Sequence, residues 1–105
     1  MQVTFNEMYL EDLYKQGCTK DKKHRYQPQV VRGYQKAIKL LIQAKCKEDL
    51  YPFRSLNFEA LHGNKTRLFS VRADGKYRIE FTLDESNETL LVSVCNILEL
   101  SNHYK

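Results

Sequence analysis

Residues 70–81 read SVRADGKYRIEF and decide the fold of this chain, because they form a predicted β-hairpin with an arginine on each arm. Apolar and polar residues alternate on both arms, as in strands that bury one face. A two-residue turn at positions 74 and 75 would pair Val71 with Arg78. A three-residue loop at 73–75, with Gly75 left-handed, pairs Val71 with Tyr77 and leaves the apolar residues on one face. We predict the three-residue loop.

The predicted register gathers polar side chains on the other face of the hairpin. These are Ser70, Arg72, Lys76, Arg78 and Glu80. Arg72 and Arg78 then point to the same side, where two guanidinium groups form a plausible clamp for a phosphate. The alternative is that both arginines form salt bridges with Glu80 or Glu59 on a solvated face, and the hairpin alone favours this alternative.

Composition limits the class of protein. A chain of 105 residues supports a single domain, residues 1–105, and its net charge of +4 permits an anionic partner without requiring one. Three cysteines without a CxxC spacing (Cys18, Cys46, Cys95) predict reduced intracellular thiols, not a disulfide framework or a zinc site. The sequence has no apolar run long enough to span a bilayer, and its beginning lacks a basic signal-peptide region. We expect a cytoplasmic protein without a membrane partner.

The remaining chain predicts an α+β fold. Residues 2–5 are a strand candidate, and residues 9–14 a short helix ended by Gly17. A longer helix begins at Pro28 and continues to about residue 45 by its apolar spacing. Residues 89–97 are apolar on both faces, which is typical of a central strand, and the residues from 99 onward form a polar tail. The prediction is two N-terminal helices packed on an antiparallel sheet of about four strands.

Four stretches resemble a known family. They are LHGN at 61–64, FSVR at 69–72, GKYRIEF at 75–81 and LSNHYK at 100–105. Their order and spacing are similar to the HigB branch of the RelE/ParE toxin superfamily, over nearly the whole chain. The resemblance implies a RelE-like fold and the toxin of a type II toxin–antitoxin pair. Such toxins are ribosome-dependent endonucleases that cut mRNA in the ribosomal A site without a metal or other cofactor.

The resemblance also implies partners and site residues. The partners are the ribosome with its mRNA, a HigA-like helix-turn-helix antitoxin, and operator DNA only through the antitoxin complex. The implied catalytic residues are Arg72, Arg78, His62, His103 and Tyr104, and the implied RNA-binding residues are Lys22, Lys23, Arg25, Lys65 and Lys76. His62 stands where relatives often carry lysine, and Lys65 would supply that charge. His103 and Tyr104 occur in the order opposite to some relatives, so the general base among His62, His103 and Tyr104 stays open.

Metal-free RNA cleavage explains why these residue types would be needed. The ribose 2′-OH must lose a proton, the phosphate must be stabilised as its negative charge grows, and the 5′-oxygen must gain a proton. Arginine binds the phosphate, histidine titrates near neutral pH, and tyrosine can stack on an unpaired base. Two alternatives remain: a ParE-like inhibitor that binds DNA gyrase without chemistry, and an inactive relative that only binds its antitoxin.

Overall fold

In the part of the chain that the structure describes, one mixed sheet of five strands carries two helices. A computed structural model of the chain describes residues 1–61, 68–84 and 93–102. The elements in chain order are β1 (Gln2–Phe5), α1 (Met8–Gln16), α2 (Pro28–Gln43), β2 (Glu59–Ala60), β3 (Leu68–Asp74), β4 (Tyr77–Asp84) and β5 (Val94–Ser101). Two 3₁₀ turns, Lys47–Leu50 and Arg54–Leu56, connect α2 to β2. No helix in these described ranges is long and apolar enough to cross a bilayer.

The strand order is β1-β5-β4-β3-β2, and among these described strands only the β1–β5 pair is parallel. The predicted α+β class is therefore confirmed, but the predicted sheet is wrong in two respects. It has five strands instead of about four, and it is mixed instead of antiparallel. β2 has two residues, too few to show an alternating pattern. The parallel pairing joins the two ends of the chain, and nothing in a local pattern predicts it.

Both predicted helices are present, and α1 ends where the sequence indicates. Gly17 follows α1 with a left-handed φ of 76°, and its N–H donates to the carbonyl oxygen of Leu13. Pro28 occupies the first turn of α2, where a missing N–H costs nothing. The helix ends at Gln43, two residues before the predicted end, because the backbone of Ala44 is already extended.

The core lies between the helices and the apolar face of the sheet. Its fully buried side chains include Leu10, Tyr34, Ile38, Leu41, Val71, Ile79, Phe81, Cys95 and Ile97. Tyr34 joins the two helices, because its hydroxyl donates to the carbonyl oxygen of Leu10 at 2.7 Å. This packing fixes which face of the β3–β4 hairpin is turned toward the helices.

The register of the hairpin differs from the prediction. Val71 pairs with Ile79 and Arg72 with Arg78, so the three-residue loop is wrong, and so is the two-residue turn at positions 74 and 75. The turn is Gly75–Lys76, which removes Lys76 from the predicted polar face, while Gly75 is left-handed as predicted, with φ 53°. The faces are nevertheless as predicted, because a shift of two residues leaves every strand side chain on the same side.

A bulge at Ala73 accounts for the shifted register, and α2 packs against it. A Cβ atom on Gly33 would lie 2.0 Å from the carbonyl oxygen of Ala73, so only glycine allows the helix to come this close. This contact joins residues 40 positions apart. The alternation of residues within the hairpin therefore could not predict the bulge.

Strand β5 is longer than predicted at its end. Residues 99–101, predicted as the start of a polar tail, continue the strand, and an irregularity at Leu98 shifts its pairing with β4. Because of that shift, both Ile97 and Leu100 face the core. The first part of the predicted strand, residues 89–92, lies outside the described residues.

Candidate functional site

The face of the sheet opposite the core carries two neighbouring rows of polar residues, which we call the polar face. The acidic row crosses β2, β3, β4 and β5 in register through Glu59, Ser70, Glu80 and Glu99. The basic row beside it is formed by Arg72, Arg78 and Ser101. Positive and negative side chains in adjacent rows offset one another, whereas equal charges directly opposite within a row repel.

Arg78 is buried in the polar face, with 6% of its surface exposed. Its Nε donates to the hydroxyl of Ser70 at 3.0 Å, and its Nη2 donates to the carbonyl oxygens of Asn57 at 2.5 Å and Ser70 at 3.3 Å. The carboxylate of Glu59 lies 3.7 Å from the same nitrogen. The guanidinium group thus ties the segment after the turn Arg54–Leu56 to β3 and β4.

Arg72 has different surroundings although it faces Arg78 directly across the hairpin. Its side chain is exposed, and it makes no hydrogen bond or ion pair with any residue in the described part of the chain. The predicted common face of the two arginines is confirmed. The predicted salt bridge with Glu59 occurs at Arg78 and not at Arg72.

Several residues of the polar face were missed by the sequence analysis as parts of a site. Ser70 is fully buried and accepts a hydrogen bond from Arg78, and Ser101 is buried beside it. Glu59 was considered only as an ion-pair partner. Its half-exposed carboxylate lies 3.7 Å from Nη2 of Arg78. The available signal was the alternation in β3, which places Ser70 on the same face as Arg72. Strict alternation in β5 from Cys95 and Ile97 would place Ser101 on the core face, so the irregularity at Leu98 concealed its position opposite Arg78.

Comparison with protein-family models, curated proteins and solved structures finds no match for this chain.

The basic residues Lys22, Lys23 and Arg25 lie exposed in the loop between the helices. The carboxylate of Asp21 orders this loop, since it accepts from the backbone N–H of Lys23 at 2.9 Å and contacts Nδ1 of His24 at 2.8 Å. The contact with His24 is the main cause that holds the pKa of Asp21 below its usual value. The loop therefore presents its cations from a defined backbone and not from a random coil.

Two tyrosines fasten this loop to the end of the sheet near the basic row. The hydroxyl of Tyr26 donates to the carbonyl oxygen of Leu100 at 2.9 Å, and the ring of His24 stacks on Tyr9 at 3.5 Å. Tyr26 also meets Tyr77, the neighbour of Arg78, edge to face at 5.5 Å. Burial raises the pKa of Tyr9 to about 12 and also raises that of Tyr26, so both hydroxyls stay protonated at neutral pH. The loop that carries the three exposed cations is thus attached, through Tyr26, to the end of the sheet at which Arg78 lies.

Four predicted site residues lie outside the described residues: His62, Lys65, His103 and Tyr104. Their assigned roles remain predictions. Lys76 is exposed in the hairpin turn. No three His, Cys, Asp or Glu side chains within residues 1–61, 68–84 and 93–102 are grouped so as to hold a metal ion. The chemistry that the described site offers is the binding of an anion next to carboxylates.

Proposed function

We propose that this chain is the toxin of a type II toxin–antitoxin pair with a RelE-like fold, and that it is a ribosome-dependent mRNA endonuclease. The observation that carries the proposal is the direct pairing of Arg72 with Arg78 on the polar face. Two like charges in this position repel each other. Glu59 offsets the charge of Arg78, whereas Arg72 has no ion pair with any described residue and can pair with an added anion. A phosphate of mRNA offsets this repulsion and accepts charge-assisted hydrogen bonds from a guanidinium group.

The two arginines take different parts in the proposed reaction. The 2′-oxygen of the ribose attacks phosphorus, the bond to the 5′-oxygen breaks, and the products carry a 2′,3′-cyclic phosphate and a 5′-OH. Arg72, which is exposed, binds the phosphate as its charge grows. Arg78 adds positive potential and holds the polar face together through Ser70 and Asn57. The base that takes the 2′-proton is one of His62, His103 and Tyr104, and a second group among them protonates the 5′-oxygen.

The proposed partners follow from the same assignment. Lys22, Lys23 and Arg25 contact RNA phosphates from the ordered loop beside the basic row, and Lys76 does so from the hairpin turn. A HigA-like helix-turn-helix antitoxin neutralises the toxin, and operator DNA is bound only through that complex. The α+β arrangement of two helices on a mixed sheet supports the RelE-like assignment. We place the protein in the cytoplasm, where ribosomes and mRNA are found.

A second candidate function is favoured by the burial of Arg78. A guanidinium group that donates to Ser70 and to the carbonyl of Asn57 is already held by the protein. If the polar side chains of this face all bond within the protein, as Arg78 does, the chain acts by binding alone. It would then be a ParE-like gyrase inhibitor or an inactive relative that only binds its antitoxin. The exposed Arg72 distinguishes the two candidates, because only the endonuclease needs it for a chemical step.

The test is to map the 5′ ends of cellular mRNA by primer extension after induction of the protein. The endonuclease proposal predicts discrete cuts in phase with codons, and their loss in Arg72→Ala. Arg32→Ala is the matched control, because Arg32 is an exposed arginine on α2 away from the polar face. Growth arrest with DNA damage and without mRNA cuts would support the gyrase candidate and contradict the endonuclease.

A further inference from the structure

A small cavity opens at the edge of the sheet where α2, the turn Arg54–Leu56 and β3 meet. Its volume is about 130 Å³. The described residues that line it are Gly33, Lys36, Ala37, Leu40, Ser55, Leu56, Arg72 and Ala73. Two of them, Lys36 and Arg72, are charged, and both are positive. This cavity thus joins the exposed arginine of the basic row to a lysine from a different element.

The two cations at this cavity have no acidic neighbour among its described lining residues. Lys36 and Arg72 make no hydrogen bond or ion pair with residues 1–61, 68–84 or 93–102. Asp74 does not line the cavity, although its Cβ lies beside Gly33. Two positive side chains held at one cavity repel each other, and a bound anion removes this repulsion.

The backbone around the cavity is fixed by close packing. The bulge at Ala73 contacts α2 at Gly33, where no side chain would fit. Helix and strand therefore fix the backbone positions of Lys36 and Arg72 relative to each other. Pockets for organic ligands usually measure roughly 300–1,000 Å³, so this cavity suits one ionic group and not a whole nucleotide.

We propose that this cavity binds one phosphate group of an RNA chain, with Lys36 and Arg72 as its cationic ligands. The arginine donates through its planar fork and the lysine acts as a point charge. RNA as the source of the phosphate rests on the proposed function, whereas the anion site itself follows from the cavity and its two cations. Lys36 thereby becomes a residue that positions the substrate strand next to the basic row.

The experiment measures binding of a short single-stranded 2′-O-methyl RNA, which cannot be cut, as a function of KCl concentration by fluorescence anisotropy. Lys36→Gln and Arg72→Gln are compared with Lys39→Gln. Lys39 is an exposed lysine on the same helix that lines a different cavity, with Tyr14 and Lys15, and its loss changes the net charge equally. Each lost phosphate contact lowers the slope of log K against log salt by about 0.7. We expect that change for Lys36→Gln and Arg72→Gln, and an unchanged slope for Lys39→Gln.

Three results would overturn the proposal. Equal changes of the slope in Lys36→Gln and Lys39→Gln would show a general charge effect. Unchanged slopes in Lys36→Gln and Arg72→Gln would show that the cavity binds no RNA phosphate. Absence of RNA binding by the unmodified protein would also show that the cavity binds no RNA phosphate. Inorganic phosphate could instead stabilise the unmodified protein against heat and leave Lys36→Gln unaffected. If the RNA-binding slope of Lys36→Gln is then unchanged, the site binds the free ion. Mapping of mRNA 5′ ends tests the endonuclease separately, because the slopes do not depend on cleavage.

Discussion

Arg78 and Arg72 face each other across one hairpin, yet one belongs to a closed region of the molecule and the other to an open one. Around Arg78, the hydroxyl of Ser70, the carbonyl of Asn57 and the carboxylate of Glu59 surround the guanidinium group. Arg72, by contrast, faces Arg78 and lines a cavity together with another cation, Lys36. The difference shows that residue type and register do not assign a role. The partners within the fold determine which arginine remains available to a ligand.

The largest effect is expected from Arg78→Ala. The substitution leaves the buried Ser70 hydroxyl and the Asn57 carbonyl without their donor, and it separates the segment at Glu59 from β4. Losing one partner of such a buried charged network costs about 3 kcal/mol in the free energy of unfolding. Urea unfolding followed by circular dichroism measures this cost. A loss below about 0.5 kcal/mol, as at an ordinary surface position, would show that the Arg78 region is not the closed one.

A smaller loss in the free energy of unfolding is expected from Gly33→Ala, which changes the packing between α2 and the bulge at Ala73. The new Cβ would meet the Ala73 carbonyl oxygen, so α2 must move away from the bulge, at a cost of about 1–3 kcal/mol. Gly75→Ala is the control. Its Cβ meets nothing within 4 Å, and only the left-handed backbone is strained, by about 1 kcal/mol. Of the two variants, only Gly33→Ala should also weaken RNA binding. Equal RNA binding by both variants would show that the packing at the bulge does not maintain the Arg72 cavity.

The pH dependence of stability at alkaline pH tests whether the end of the sheet beside the basic loop is buried, as the Arg78 region is. Burial raises the pKa of Tyr9 to about 12, whereas an unfolded chain has a tyrosine pKa of about 10. The folded state therefore keeps a proton that the unfolded state loses. The contribution of Tyr9 to the free energy of unfolding is thus constant below about pH 10 and falls as the pH rises toward 12. Tyr9→Phe should reduce this fall in urea midpoints. Tyr51→Phe, at an exposed ring, should not, and identical alkaline profiles for the two variants would contradict the assignment.

The sequence predicted those features that depend on neighbouring residues. The two helices, Gly17 as the end of α1, the left-handed Gly75 and the faces of the hairpin were all correct, because spacing and turn chemistry are local. The predicted register was wrong, because the bulge at Ala73 packs against Gly33, which is distant in the sequence. The parallel β1–β5 pair was missed because its two strands are also distant in the sequence.

The candidate site was predictable to a similar degree. Alternation placed Arg72 and Arg78 on one face correctly. It could not predict that Arg78 is buried, because Asn57 and Glu59 come from a segment with no regular pattern. It also could not predict the cavity, which needs Lys36 of α2 beside β3. From the sequence both arginines were predicted to clamp the phosphate, with Arg78 the more sensitive of the two. The structure shows Arg78 bonded within the fold and Arg72 exposed.

The most direct test of this difference is Arg72→Ala, measured for stability and for cleavage of ribosome-bound mRNA in the same preparation. The exposed side chain of Arg72 makes no hydrogen bond or ion pair with the described residues, so the free energy of unfolding should change by less than about 0.5 kcal/mol. The rate of codon-phased cutting should fall by roughly 100-fold or more, because a donor to the phosphate is lost. A stable Arg72→Ala protein that cuts mRNA at the unmodified rate would contradict the account.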